Sequence, residues 1–180
     1  MKKITMFCAV LCVCGVAQAA FQWTTGTGAN GHYYEVITAT ELTWDDAKAA
    51  AEASTTLGLD WTLATITSEE ENNFLSNALT ADVKYWLGGI QDASTLEWSW
   101  VTGEAWSYTN WQYDNGHSEP DNDAPDQYIH LGFSTQGGEY PVGYWADLKP
   151  KERAYIVEAV PEPATLALLG LGGLLLRRKK

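Results

Sequence analysis

The chain has 180 residues, 46% of them hydrophobic, and a formal net charge of −12. That length suits one domain with a sizeable core. The charge is steeper between residues 20 and 160, where five Lys and Arg face 22 Asp and Glu for a formal −17, which excludes nucleic acid and anionic membrane surfaces as partners because their phosphates would be repelled.

Lys2 and Lys3 precede an apolar run from Ile4 to Val16, and Ala17-Gln18-Ala19 is a small-x-small cleavage site. Residues 1–19 therefore read as a signal peptide, with the mature chain starting near Ala20 or Phe21. All three cysteines (Cys8, Cys12, Cys14) fall within it. The exported domain, residues 20–160, is expected to hold no disulfide although its compartment permits one. Packing must hold it instead, and its Trp and Tyr content supplies large side chains for that.

Residues 21–32, rich in Gly and Thr, are expected to form a loose lead-in. Tyr33 to Ile37 alternates as a strand does. Thr43 opens a helix with Asp46 in capping-box register, and Trp44, Ala47, Ala50 and Ala51 give that helix one apolar face. Trp61 to Ile66 is a short extended run. Ser68-Glu69-Glu70-Glu71 forms a second capping box, followed by Phe74, Leu75, Ala78 and Leu79 as a buried face; acids in that first turn suit the helix dipole. Tyr85–Ile90, Glu97–Val101, Tyr128–Phe133, Gly143–Asp147 and Ala154–Ala159 read as short strands. Between the second and third of these runs a long segment, Thr102 to Gln127, rich in Gly, Asn, Asp and aromatics. A compact domain rarely keeps such a loop without a function or an internal ligand. The order is that of an α+β fold, two helices and antiparallel strands around a long loop.

After Val160-Pro161-Glu162-Pro163 comes an apolar run from Ala164 to Leu176, then Arg177, Arg178, Lys179 and Lys180. Thirteen residues of helix span about 20 Å, short of the roughly 30 Å hydrocarbon core. That suits transient insertion, with the cations held on the cytoplasmic side; an ordinary membrane anchor is the alternative. The pattern resembles the PEP-CTERM sorting signal of Gram-negative bacteria. The resemblance implies that residues 161–180 hold a precursor in the inner membrane until an exosortase cuts near the Pro-Glu-Pro step, and that the product reaches the cell surface or the extracellular space.

From residue 32 to 159 the chain resembles a C-type lectin-like domain, on motifs that fall in the family's order. These are Tyr33-Tyr34, Thr43-Trp44-Asp45-Asp46-Ala47, Leu63-Ala64-Thr65-Ile66-Thr67-Ser68 and Tyr85-Trp86-Leu87-Gly88-Gly89-Ile90. Then follow Trp98-Ser99-Trp100, Tyr108-Thr109-Asn110-Trp111, Glu119-Pro120-Asp121 (like Glu-Pro-Asn), Trp145-Ala146-Asp147 (like Trp-Asn-Asp) and Tyr155-Ile156-Val157-Glu158. The family's two common disulfides would fall at Ala51 with Val157 and at Tyr128 with Pro150. The first becomes an apolar contact. Without the second, loop order is expected to rely on a bound ion or on Trp packing.

Asp114, Glu119, Asp121, Asp123 and Asp126 lie close together in the long loop. Carboxylates folded toward one point raise their pKa values or recruit a cation. Calcium fits, since it takes 6–8 oxygen ligands; magnesium demands stricter octahedral geometry, and zinc would want His or Cys where only His117 is near. A solvated acidic loop is the alternative. The resemblance implies a principal Ca2+ site of Glu119, Asp121, Asp126 and Asp147, with a cis Pro120 between the first two. Asp92 and Glu97 are weaker candidates for an accessory site.

In sugar-binding members of the family, two adjacent hydroxyls complete the ion's shell, and Asn amides among its ligands donate to them. Here those Asn positions hold Asp121 and Ala146, neither of which can donate. Asn122 and Gln127 are candidate substitutes. Glu-Pro-Asp matches neither the mannose-type nor the galactose-type motif. Trp106, Trp111, Tyr113 and Tyr144 are candidates for stacking on a sugar ring, against core packing for Trp98, Trp100, Trp111 and Trp145.

The leading expectation is an exported calcium-dependent carbohydrate-binding module for exopolysaccharide or surface glycans, with Glu119, Asp121, Asn122, Asp126, Asp147, Trp106 and Tyr113 as its ligand-binding residues. The alternative is a structural or protein-binding surface protein on the same fold. Glu119 and Asp147 form the one carboxylate pair suited to acid–base catalysis, but no Ser–His–Asp arrangement accompanies it and His32, His117 and His130 are scattered, so no enzyme is expected.

Overall fold

The computed structural model describes residues 19–80, 83–114, 117–122, 127–132, 143–149 and 151–161. The strands are β1 (Phe21–Gln22), β2 (Tyr33–Leu42), β3 (Trp61–Leu63), β4 (Tyr85–Gln91), β5 (Trp98–Trp100), β6 (Tyr113–Asp114), β7 (His117–Ser118), β8 (Tyr128–Gly132), β9 (Tyr144–Leu148) and β10 (Arg153–Ala159). The helices are α1 (Trp44–Glu52) and α2 (Glu69–Ser76). Residues 1–18 of the expected signal peptide, 162–180 of the sorting tail, Asp123, Asp126 and Pro150 lie outside the described residues.

The main sheet runs β1-β2-β10-β4-β8-β9, with β3 beside β10 and β5 beside β4; β6 and β7 form a separate hairpin. Two features differ from the expectation. β10 pairs with β4 in parallel, so the sheet is mixed. The lead-in is also not loose throughout, because Phe21 and Gln22 pair with Tyr34 and Tyr33. Phe21 further packs on Phe74 at 5.7 Å, a tertiary contact that gives a two-residue strand its reason to stay.

Both helices start where their caps require. The Thr43 hydroxyl accepts from the Asp46 backbone N–H, and the Ser68 hydroxyl from that of Glu71. Each satisfies one orphan donor of a helix start. The second box is offset by one residue, for the Glu71 carboxylate accepts from the backbone N–H of Thr67, just before the cap. On α1, Trp44, Ala47 and Ala51 are buried and join Trp61, Leu63, Trp86, Tyr128 and Val157 in one core. Ala51 and Val157 are thus in the same apolar cluster. Tyr128, at the second missing disulfide, stacks on Trp44 at 4.5 Å and meets Trp86 edge-on at 6.2 Å.

The other core gathers Tyr34, Ile66, Leu75, Leu87, Ile129 and Trp145. It is also what holds the long loop. Trp106 and Trp111 lie 6.2 and 5.8 Å from Trp145, and Trp106 lies 4.7 Å from Trp100. Backbone bonds complete the tether: Trp145 N–H donates to Asn110 O and Gln112 N–H to Trp145 O, both at 2.8 Å, and Glu119 N–H donates to Gln112 O at 2.9 Å. Gly143, at φ +99°, turns the chain into β9; a Cβ there would come within 2.7 Å of Ser76 Oγ and Asn72 Nδ2. Its carbonyl instead accepts from the Asn72 and Asn110 amides.

Candidate metal and ligand site

β9 pairs with β8 so that Asp147 stands opposite Ile129 and Ala146 opposite His130. Asp147 is 5% exposed, and its carboxylate accepts from the backbone N–H groups of Asp121 (3.1 Å) and Asn122 (3.3 Å). This side chain therefore fastens the Asp121–Asn122 part of the long loop to β9, beside the backbone bonds at Trp145. The Glu119–Pro120 peptide is cis. Carboxylate oxygens of Glu119, Asp121 and Asp147 lie within 4.8 Å of one another. Two oxygens on one calcium, each at about 2.3–2.6 Å, stand up to roughly 5 Å apart, so this spacing accommodates the ion.

Glu119 carries the electrostatic signature of the site. Its Oε2 is buried without a hydrogen-bond partner among the described residues. Its carboxyl is pushed up to about 8, first by burial and then by the facing Asp147 and Asp121 carboxylates. An unpaired buried acceptor costs about 1–3 kcal/mol, and a divalent cation would remove both the orphan and the repulsion. All three ligands are hard oxygens, which suits calcium or magnesium better than zinc. The fourth expected ligand, Asp126, lies outside the described residues, as do the side chains of Asp114 and His117.

The remaining expected residues are distributed differently. Asn122 adopts φ 55°, its Oδ1 accepts from Gln91 Nε2 at 2.6 Å, and its amide donates to Pro120 O at 3.4 Å. Its donor is turned into the loop's own structure. Trp106 is packed in the indole cluster. Tyr113 is 74% exposed on β6. Neither lines the cavity of about 370 Å³ at the site, which Glu119, Asp121 and Asp147 share with Lys84, His130 and Tyr144. Of the candidate stacking residues, Tyr144 is there. Asp92 is absorbed in its own turn, accepting from Ser94 and Thr95; these bonds, the Ser94 hydroxyl first, hold its carboxyl down at about 2.

Two groups of residues escape a reading of the sequence. Lys84 and Gln112 reach the cavity only because β4 stands next to β8, itself paired with β9, and the long loop bonds to β9, which no local pattern announces. His130 alternates with apolar neighbours as a core histidine does. The second group is a cluster of the half-buried His32 with the buried Glu71 and Glu158, whose ligating atoms also lie within 4.8 Å of one another. The Tyr34 hydroxyl and the Asn30 amide donate to Glu71, at 2.6 and 3.1 Å. Thr65 donates to Glu158 through its N–H and hydroxyl, at 3.0 and 2.9 Å. His32 meets Glu158 at 2.5 Å.

Comparison with known proteins agrees with this architecture. The model of the Lectin C-type domain family matches residues 40–157, and that of the PEP-CTERM protein-sorting motif matches residues 159–180. Halomucin of Haloquadratum walsbyi is 38% identical over 104 residues, which is 54% of this chain and 1% of that protein. An alpha-N-acetylgalactosamine-specific lectin of Patiria pectinifera is 30% identical over 115 residues, 61% of this chain and 65% of that one. The match thus spans less than two thirds of either relative. The C-type lectin domain of murine dendritic cell inhibitory receptor 2, solved with an N-glycan, superposes with a TM-score of 0.59 at 17% identity, covering 78% of this chain and 97% of that one. With its two capped helices, mixed sheet and tethered long loop, the chain belongs to the C-type lectin domain family and carries a PEP-CTERM protein-sorting motif.

Proposed function

We propose that the protein is an exported carbohydrate-binding module that uses calcium, held by Glu119, Asp121 and Asp147 with Asp126 as a fourth ligand, to bind exopolysaccharide or surface glycan. The observation that carries this reading is the convergence of three carboxylates around a buried, unpartnered Glu119 Oε2. The ion would supply a coordination shell that sugar hydroxyls complete; the residues orient it and accept hydrogen bonds from those hydroxyls. The lectin relative from Patiria pectinifera supports the carbohydrate class. Residues 1–19 would direct export. Residues 161–180 would hold the precursor at the inner membrane for exosortase processing. Among the described residues no helix is long and apolar enough to cross a membrane, and residues 162–180 of that tail lie beyond them.

Calorimetry with calcium at 1 mM and above, followed by a glycan screen with and without chelator, tests the reading. Saturable binding in the range of about 10⁻⁴–10⁻³ M, and glycan capture abolished by chelator, are expected. Glycan binding indifferent to chelator would sink the calcium-dependent form. A second reading, a structural or protein-binding surface protein, is favoured by Ala146 and by the inward-turned Asn122 amide, which leave fewer donors for a diol. A saccharide that competes for the site would count against it.

A further inference from the structure

Part of the cavity lining is left unused by the calcium reading. Lys84, His130 and Gly132 line it together with the carboxylates. His130 is 3% exposed, and its Nδ1 has no hydrogen-bond partner among the described residues. Burial first, then the charges of Lys84 and Arg153, hold its pKa well below the ordinary value, so the ring is neutral and offers one N–H and one acceptor. Its ring stands edge-on to Trp86 at 6.3 Å. The Arg153 guanidinium lies over that same indole at 5.4 Å, with its Nε also buried and unpartnered. The Lys84 pKa is lowered by burial first and then by the charge of Arg153, with Lys151 adding to it against the pull of Glu119. In a domain with only five Lys and Arg between residues 20 and 160, three are close enough to interact here.

The surroundings leave room for a partner. A Cβ at Gly132 would stand 3.5 Å from His130 Cε1 and 3.6 Å from Nδ1, so the glycine keeps the ring edge open. Ala146, across the ladder from His130, is equally small. A buried ring nitrogen, a nearby ammonium and an unfilled cavity call for an acceptor that the described residues do not provide.

We propose that this part of the cavity is an anion subsite in which Lys84 and His130 receive a carboxylate, so that the saccharide bound is acidic, of the uronic acid class. Its hydroxyls would lie at the Glu119–Asp121–Asp147 carboxylates and its carboxylate at Lys84. The inference rests on the carbohydrate-binding reading and names the ligand class of that same cavity.

The test is titration of the purified protein in saturating calcium with a uronic acid trisaccharide and with the same trisaccharide after carboxyl reduction. The wild type should prefer the acidic form roughly tenfold, the worth of one charge-assisted hydrogen bond. Lys84→Gln should make the two bind alike. Gly132→Ala, which meets the ring only at ordinary contact distance, should weaken the acidic form while calcium binding certifies the fold. Equal binding of both forms by the wild type, or a preference that survives Lys84→Gln, overturns the subsite and leaves carbohydrate binding standing. If neither trisaccharide, nor any glycan in the screen, binds to a protein that does bind calcium, the carbohydrate reading falls and the subsite with it.

Discussion

The molecule holds two clusters of converging carboxylates, and they have opposite chemistry. In the His32–Glu71–Glu158 cluster each carboxylate oxygen has a partner, and an imidazole stands where a cation would be wanted. In the Glu119–Asp121–Asp147 cluster, Glu119 Oε2 is buried with no hydrogen-bond partner among the described residues. Proximity of acids therefore does not define a metal site. What matters is whether the protein has already supplied the donors. The first cluster fastens β10 to α2 and to the lead-in; the second is arranged to be completed from outside.

The largest expected effect breaks the first cluster. Glu158 is 1% exposed, and Glu158→Gln removes its charge and one of the two oxygens that accept from His32 and Thr65. Breaking a buried pair typically costs about 3–5 kcal/mol. Chemical denaturation should show a loss near the lower end, because His32 can neutralise, with calcium affinity unchanged. A loss under about 1 kcal/mol would mean the cluster does not fasten these elements.

Next in size is the response of the second cluster to its ion. Calcium at a hundred times its dissociation constant should stabilise the fold by about 2.7 kcal/mol. Asp147→Asn should abolish that gain while changing the stability of the calcium-free protein far less. Stabilisation that persists in Asp147→Asn would place the ion elsewhere.

pH probes both clusters, and calcium separates them. The hydrogen bond to Glu158 raises the His32 pKa above 6.5, with Glu71 and Glu104 adding to it against burial. A group whose folded pKa is raised contributes stability that is full below its unfolded pKa and lost as pH rises through the folded value. Burial also raises the Glu71 carboxyl, and the sign is the same. Stability in chelator should therefore decline as pH rises, with Glu119, whose carboxyl is pushed up to about 8, contributing in the same direction, and His32→Gln should lessen that decline without abolishing it. A profile that rises with pH would contradict the pairing.

The smallest effect concerns how Glu71 is presented. Ser68→Ala removes the cap of α2 and should cost about 1 kcal/mol, measurable by thermal unfolding, with calcium binding intact. A loss of calcium affinity in this variant would show that the two clusters are coupled.

Much of the fold is legible in one dimension. Caps at Thr43 and Ser68, alternation in Tyr33–Ile37 and the motif order around Trp86 and Trp145 are local signals, and local signals need no tertiary contact to be seen. The acidic loop is legible too, because Asp114, Glu119, Asp121, Asp123 and Asp126 are neighbours along the chain and their charge is written in their residue type. The parallel β10–β4 pairing is not, because pairing direction is a property of chain topology. Nor is the fate of Asn122, whose amide is spent on Pro120 only once the loop has closed. His32, Glu71 and Glu158 are far apart in sequence, and no spacing rule joins them.

Residue identity alone determined that this domain would be acidic, held by aromatics instead of disulfides, and furnished with oxygen ligands in one loop. Tertiary structure decided which carboxylates are neutralised from within and which are left waiting. It also decided that Trp106 belongs to the core and that Lys84 and His130 face the cavity. The physical reason is that charge and size belong to a residue, whereas burial and the supply of hydrogen-bond partners belong to the neighbours that folding brings to it.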